Sequence, residues 1–304
     1  MKAINKDQIK RIVGNITNVL VNEDQYELRK SVEKFHKDEK FLGDFVNFLM
    51  VDKNANPPIF YSVASPYDLL SKKDPQHALV WQDGILLLNT DYTNLAALRT
   101  GAMDTIALQA MGVVTLKYKK VLLFGTGGTA KWSIHILKTF FDDLVEIDYI
   151  NSTKTTAVDF EKYLASFGVS GKIGDLDKIG EYDIIICHTN ANQPVLTISK
   201  LEDLKKGVII TTFLGSDKEH GEIDTEFYSE RGNVILDWKK NLKLAKDIQK
   251  SNLATEKIIF LKDILEKSVA SSKDKDYTIF RFLGTPMQNL GVLQVLLEES
   301  KIKG

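Results

Sequence analysis

The stretch Val121-Leu-Leu-Phe-Gly125-Thr-Gly127-Gly128-Thr-Ala130 limits what this chain can become more than any other. Four apolar residues suited to a strand stop at a glycine turn. The chain resumes as Lys131-Trp-Ser-Ile-His-Ile-Leu137, with Trp132, Ile134 and Leu137 at spacings that suit a helix packed on a sheet. Strand, glycine turn and helix in that order give G-x-G-x-x-A its meaning as a dinucleotide-binding fingerprint. Gly125 permits the tight turn, Gly127 lets backbone approach a pyrophosphate, and Ala130 is small enough for close helix–strand contact. Thr126, Gly128 and Thr129 complete the loop, and the first N–H groups of the helix face the phosphates. An ordinary βα turn would use glycine in the same way, so the surrounding pattern has to decide.

From residue 121 onward strand and helix alternate: 121–124, 129–140, 145–150, 155–167, a short run near 172–174, 182–187, 199–204 and 207–212. The alternation predicts right-handed βαβ units and a doubly wound, Rossmann-type α/β fold with a parallel sheet covered on both faces. A strand over 234–236, a Lys-rich helical stretch around 239–250, a helix over 261–269 and a polar linker at 271–276 follow. Strand 277–280, the Gly284-Thr-Pro286 turn and a helix over about 288–300 close the chain.

The residues before the fingerprint read differently. Ile9, Ile12, Val13, Ile16, Val19 and Leu20 follow a helical period, and Leu28, Val32, Phe35, Phe41, Phe45 and Leu49 repeat it, so residues 2–50 are expected to be helical. Pro57-Pro58 ends that region, and Ile59 to Val63 suits a strand. Ala78-Leu-Val-Trp81 and Ile85-Leu-Leu-Leu88, joined through Asp83-Gly84, predict an antiparallel hairpin. Thr93 to Met111 reads as a helix, with Leu95, Leu98, Ala102, Ile106 and Ala110 on one face and Gly112 as its stop.

A length of 304 residues suits two domains, and 43% apolar residues fill two cores. A net charge of -1 supplies no field for nucleic acid or an anionic membrane. The single cysteine, Cys187, excludes a disulfide framework and ends a strand, where a buried thiol is expected. The N-terminus has no apolar signal core and no stretch is long enough to span a bilayer, which predicts a soluble, cytoplasmic protein. No histidine pair has metal-ligand spacing, so no metal is expected. His188, at a strand end beside the expected cleft, has the chemistry of an acid or base near neutrality; His77 and His220 carry less information.

The end of the second strand of such a unit discriminates between cofactors: a carboxylate takes ribose hydroxyls, whereas Lys, Arg and small hydroxyl residues accept a 2′-phosphate. Here the strand ends in Asn151-Ser152-Thr153-Lys154, and Asp148 lies inside it. NADP(H) is therefore favoured over NAD(H), although the same residues also suit a helix cap. Upstream, Arg99 is flanked by small residues, including Thr100 and Gly101. That environment admits a bidentate grip on a carboxylate, and equally suits a surface charge.

These segments together resemble the ornithine cyclodeaminase/mu-crystallin family. Ala97-Leu-Arg-Thr-Gly-Ala102 resembles its A-x-R-T-A/G-A helix, and Gly125 to Ala130 its G-T/A-G-x-Q-A turn. Thr189 to Leu196 resembles its T-x-x-x-x-P-V/I-L segment. Gly215-Ser-Asp217 and Glu222-Ile-Asp224 resemble its G-A-D and E-L-D elements, and Thr278 to Gly284 its closing T-V-F-K-S-L-G. The resemblance covers roughly residue 76 to the C-terminus. It implies an NAD(P)-binding domain over 117–275, and a smaller α+β substrate-binding and dimerisation domain from 1–116 with 276–304. It also implies a homodimer and an oxidoreductase acting on a C–N bond of a small amino acid or cyclic imine. The family also contains amino-acid cyclodeaminases with bound NAD, and a non-catalytic nucleotide-binding relative is a further alternative. By the resemblance, Arg99 holds the substrate carboxylate and Asp217 accepts a proton or binds the amino group. Thr100 joins the cofactor contacts, and Thr189 and Asn190 line the nicotinamide pocket.

The chain departs from the pattern in its first third. The arginine after a proline pair is replaced by Ile59, and the lysine of a G-x-K-V strand is missing, leaving Lys72 or Lys73 to supply an amine. Thr129 replaces the usual glutamine, and Gln288-Asn289 replaces an acidic pair. Asp104 stands where small residues are usual, either to neutralise Arg99 or to recruit a substrate amine. These changes argue against ornithine cyclodeaminase itself.

Overall fold

The computed structural model describes residues 4–37, 40–66, 77–91, 93–151, 154–213, 221–267 and 274–302. The chain forms two compact units, Met1–Arg99 with Thr285–Gly304, and Thr100–Gly284. Sequence had placed the divisions at 116/117 and 275/276. The C-terminal division moves because strand 277–282 lies inside the parallel sheet and so belongs with it.

The first unit opens with α1 (Lys6–Val21), capped by Asn5, whose side chain accepts from Gln8 N while the Gln8 side chain accepts from Asn5 N. Its buried stripe, Ile9, Ile12, Val13, Ile16, Val19 and Leu20, is the one the period predicts. The expected second helical stretch is instead two long strands, β1 (Tyr26–Lys37) and β2 (Lys40–Asp52). They pair antiparallel from Tyr26↔Asp52 to Lys37↔Lys40, with one irregularity at Phe35/His36. Apolar residues spaced by four and three suit either element. Twelve residues of cross-strand pairing outweigh a weak helical preference here. Three further strands, β3 (Ile59–Pro66), β4 (His77–Gln82) and β5 (Ile85–Asp91), complete a five-stranded sheet in chain order. The β4–β5 turn has Asp83 at φ 51° and Gly84 at φ 74°, the paired positive values of the tight hairpin that Asp-Gly predicts.

α2 (Thr93–Ala110) runs from this unit into the next, the division falling between Arg99 and Thr100. The second unit continues with β6 (Val121–Phe124), α3 (Gly128–Phe140), β7 (Glu146–Ile150), α4 (Lys154–Ala165), β8 (Ser170–Ile173), β9 (Ile184–Cys187), β10 (Val208–Phe213) and β11 (Gly232–Leu236). The short helix α5 (Lys246–Lys250), β12 (Ile258–Phe260), the short helix α6 (Leu261–Leu265) and β13 (Tyr277–Phe282) follow. Eight parallel strands lie in the order β12-β11-β13-β10-β9-β6-β7-β8. Both faces are buried. Leu123, Ile134, Leu137, Phe160 and Ile186 fill one, and Leu122, Ile185, Ile210, Phe227 and Ile279 the other. The expected helix at 199–204 is only a 3-10 turn over Ile198–Lys200.

Buried charges fasten the far half of this sheet. Arg281 on β13 donates from Nε to Asp247 Oδ2 at 2.7 Å, and Tyr228 Oη donates to the same oxygen at 2.9 Å. Asp237 Oδ2 accepts from Leu283 N and Gly284 N at 3.2 and 3.0 Å, fixing the end of the unit. Burial pushes the Asp237 carboxyl up to about 6. The chain then enters α7 (Pro286–Ile302), which packs on α1 in the first unit. A Cβ on Gly291 would lie 2.5 Å from Ile16 N, so only glycine permits that approach.

Candidate cofactor cleft

β6 delivers the chain to Gly125 at φ 91°, where a Cβ would sit 2.2 Å from the His188 carbonyl oxygen. The strand ends can close on each other only because that atom is missing. Gly125 N donates to Ile150 O at 2.9 Å, and His188 N donates to Phe124 O at 2.9 Å, so β7, β6 and β9 present their ends together. Gly127, the N-cap of α3, has no side-chain cap, and a Cβ there would meet nothing within 4 Å. Lys131 N makes the first helical bond, to Gly127 O. The N–H groups of Gly128, Thr129 and Ala130 precede that bond and point out of the helix toward its positive end.

Above the turn lies a cleft of about 870 Å³. Gly125, Thr126, Gly127, Gly128 and Thr129 line it at the phosphate turn, Asn151 at the end of β7, and His188, Thr189 and Asn190 beyond β9. Sequence reasoning named all of these, and the wall is completed by Phe124, Ile150, Leu176, Ala191, Val195 and Phe213, which it did not assign to the site. Their signal was only their position at or after strand ends. Ala130 is buried beneath the turn, and Thr100 is buried on α2. Ser152, Thr153, Asp217, Lys72 and Lys73 lie outside the described residues, as does the side chain of Lys154.

Glu222 holds the cleft wall from behind. Its Oε1 accepts from Thr189 N at 2.5 Å and Thr189 Oγ1 at 2.8 Å, and its Oε2 accepts from Phe213 N at 2.7 Å and Thr212 Oγ1 at 3.1 Å. Its carbonyl accepts from Val195 N and Leu196 N. One buried residue thus ties the ends of β9 and β10 together through its carboxylate and holds the Pro194 segment through its carbonyl. Burial raises its pKa, while His188 and the N–H donors oppose the rise.

Asp104 does neither of the two things sequence offered for it. It is buried on α2, where its Oδ2 accepts from Ser133 Oγ at 2.5 Å and lies 2.6 Å from His188 Nε2. Gly101, one turn earlier, lets α2 approach α3 at Ser133, where a Cβ would be 2.5 Å from the Ser133 nitrogen. His188 and Asp104 side chains are 1% and 0% exposed. Burial opposes a charge on His188, but the charge and hydrogen bond of Asp104, and then the charge of Glu222, outweigh it and raise the His188 pKa. A carboxylate amid the apolar face of α2 was the one signal available in the sequence.

Arg99, half-buried in the first unit, donates from Nη1 to Gln288 Oε1 at 3.0 Å. Gln288 is a neutral hydrogen-bond partner, accepting through its amide oxygen. Cys187 is fully buried, and burial pushes its thiol well up, as a structural thiol requires. Among the described residues no three His, Cys, Asp or Glu side chains converge to hold a metal ion, and no helix is long and apolar enough to cross a membrane.

Solved structures share this architecture. The Thermococcus litoralis Δ1-pyrroline-2-carboxylate reductase, in complex with NADH and L-proline, superposes with a TM-score of 0.77 at 15% identity over 97% of this chain and 94% of its own. The iminosuccinate reductase of Paracoccus denitrificans, in complex with NAD+, gives 0.76 at 18% identity over 97% and 93%. An archaeal alanine dehydrogenase dimer with bound NAD gives 0.75 at 18% identity over 97% and 92%. At these identities the likeness is one of fold. A comparison with curated protein sequences finds no match. The sequence profile of the ornithine cyclodeaminase/mu-crystallin family, in contrast, matches residues 79–304, about three quarters of the chain. The chain belongs to the ornithine cyclodeaminase/mu-crystallin family.

Proposed function

We propose that this protein is an NAD(P)H-dependent oxidoreductase acting on the C–N bond of a small amino acid or cyclic imine. The observation that carries the reading is the Gly125–Gly128 turn. It is forced to be glycine on its inner side and open on its outer side, with helix N–H groups facing an 870 Å³ cleft. These are the features a pyrophosphate needs. Reductases and a dehydrogenase with bound nicotinamide nucleotides share the fold, which supports the same chemistry here.

A bound nicotinamide would supply or accept a hydride. The protein's own part is to hold, orient and protonate. Arg99 takes the substrate carboxylate through two parallel N–H bonds. Asp217 holds or receives a proton at the substrate nitrogen, and the Lys73 amine is the second group assigned to that role. Thr189, fixed by Glu222, and Asn190 border the reacting end, and Phe213 keeps water from it. NADP(H) is preferred. Asn151 stands at the β7 tip, and the nearest carboxylate, Asp148, is engaged by Tyr182 Oη at 2.6 Å and Lys172 Nζ at 3.4 Å. The protein acts as a homodimer in the cytoplasm.

The test is a screen of cyclic imines, and of keto acids with amines, for NADPH oxidation, preceded by titration of nicotinamide fluorescence. The reading predicts binding of both nucleotides, tighter for NADPH, and turnover with a substrate bearing a carboxylate. Failure to bind either nucleotide contradicts it. Ammonia release from a diamino acid without net NADPH oxidation would make it a cyclodeaminase instead.

A further inference from the structure

Behind the cleft runs a string of three buried polar side chains from three elements: Ser133 on α3, Asp104 on α2 and His188 at the end of β9. Asp104 Oδ1 and His188 Nδ1 have no partner among the described residues. The rings of Phe213 and Phe282 wall the imidazole in, with centroids 6.3 and 6.0 Å away. Two charges act on it, Asp104 from α2 and Glu222 from across the β9–β10 end. The neighbouring Cys187 thiol is held neutral by burial.

This arrangement is poised. Neutral His188 donates its Nε2 proton to Asp104, and its bare Nδ1 needs nothing. Protonated His188 gains attraction to two carboxylates but leaves a buried Nδ1–H without an acceptor, an uncompensated donor. The carboxylates hold the proton, and the orphaned donor and burial work against it. A further positive charge nearby works in the same direction and favours its loss.

Strand order indicates where such a charge would come. The phosphate turn follows β6 and the Asn151 tip follows β7, so the nicotinamide end of a dinucleotide crossing this edge falls on the opposite side, over β9 and β10. There His188 and Phe213 line the cleft. An oxidised nicotinamide is a cation and a reduced one is neutral. We propose that Asp104 and His188, braced by Ser133, form a buried proton-holding pair that distinguishes the two redox states. The oxidised nucleotide binds with release of the His188 proton to solvent, and the reduced nucleotide binds with that proton retained. This rests on the reading of the cleft as a nicotinamide site. His188 acts here as a positioning residue for charge, with no bond to substrate required.

The test uses the whole protein and NAD+ and NADH, whose phosphates titrate alike. Calorimetric titration in two buffers of different ionisation enthalpy, at several pH values from 6.5 to 8.5, counts the protons released. The expected result is release on binding NAD+, approaching one proton, and none on binding NADH. Equivalently, the ratio of the NAD+ and NADH dissociation constants falls as pH rises, by up to about tenfold per unit, the limit for one linked proton. Asp104→Asn and His188→Gln should abolish the difference. Should either variant misfold, the nitrogen resonances of His188 in the wild-type protein should titrate at lower pH with NAD+ bound than with NADH bound. Equal proton release with both nucleotides overturns the proposal while leaving the cleft assignment intact. Absence of binding by either nucleotide overturns both.

Discussion

The two units solve the problem of specifying a structure in opposite ways. Among the described residues, every buried charged side chain lies between Thr100 and Gly284: Asp104, Glu222, Asp237, Asp247 and Arg281, with His188 beside them. The other unit buries apolar residues and a few neutral polar ones, and its described ion pairs, Arg11 with Glu298 and Glu299, are solvent-exposed or nearly so. A buried carboxylate stabilises little unless its donors are in place, and costs several kcal/mol when one is lost. Each therefore selects one arrangement of the strand ends it joins. Glu222 fixes β9 to β10, Asp104 fixes α2 to α3 and β9, and Asp237 fixes the exit from β13. The cleft is specified by buried charges and their donors, and the other unit without any buried charge among its described residues.

The sharpest way to break this comparison is at Gly125. In Gly125→Ala the new Cβ collides with the His188 carbonyl at a φ unfavourable to alanine. Nucleotide binding should vanish and stability should fall by on the order of 2–3 kcal/mol, read by fluorescence titration and thermal unfolding. Gly291→Ala, its counterpart in the other unit, should loosen α1 from α7 while NADPH affinity stays near wild type. Next in size, Arg99→Ala should lower kcat/KM by roughly 100-fold, the loss of a charged bidentate contact, while leaving the nucleotide dissociation constant unchanged. Turnover surviving that change would remove Arg99 from the carboxylate role.

Asp104→Ala should cost about 2 kcal/mol at neutral pH, the usual size for orphaning a buried polar partner, and should alter the pH dependence of stability. With the folded-state pKa of His188 raised, its contribution is complete below about 6.5 and is lost as pH climbs through the raised value. Unfolding free energy in the wild type should therefore decline above pH 6.5, and the variant should lack that component. An unchanged slope would show that His188 does not change charge over that range. Smallest is Lys154→Ala, which should weaken NADPH binding about tenfold with little effect on NADH, the cost of one phosphate contact. Equal loss for both nucleotides would return Lys154 to a plain helix-start role.

Legibility from sequence divides along the same line. In the second unit the local signals are strong and agree with one another: apolar runs of strand length, glycine where only glycine fits, and a carboxylate-free β7 tip. In the first unit, Asp83-Gly84 announced its hairpin because both residues must take positive φ. β1 and β2 pair up to Lys37 and Lys40, and the sequence there, Lys37-Asp-Glu-Lys40, has neither glycine nor asparagine, so nothing in it marked a reversal. Leu28, Val32 and Phe35 then passed for a helical face. The Asp104–His188 contact was hidden for another reason. It joins residues 84 apart whose meeting depends on how α2 crosses α3, and Gly101, which permits the crossing, looks in sequence like any small residue.

The central claim is that the cleft above Gly125–Gly128 holds a nicotinamide nucleotide. Titrating the purified protein with NADPH, and separately with NADH, while following nicotinamide fluorescence tests it most directly. The account predicts saturable binding of both, tighter for NADPH, and lost in Gly125→Ala. Fluorescence that rises only in proportion to added nucleotide, in wild type as in the variant, would contradict it.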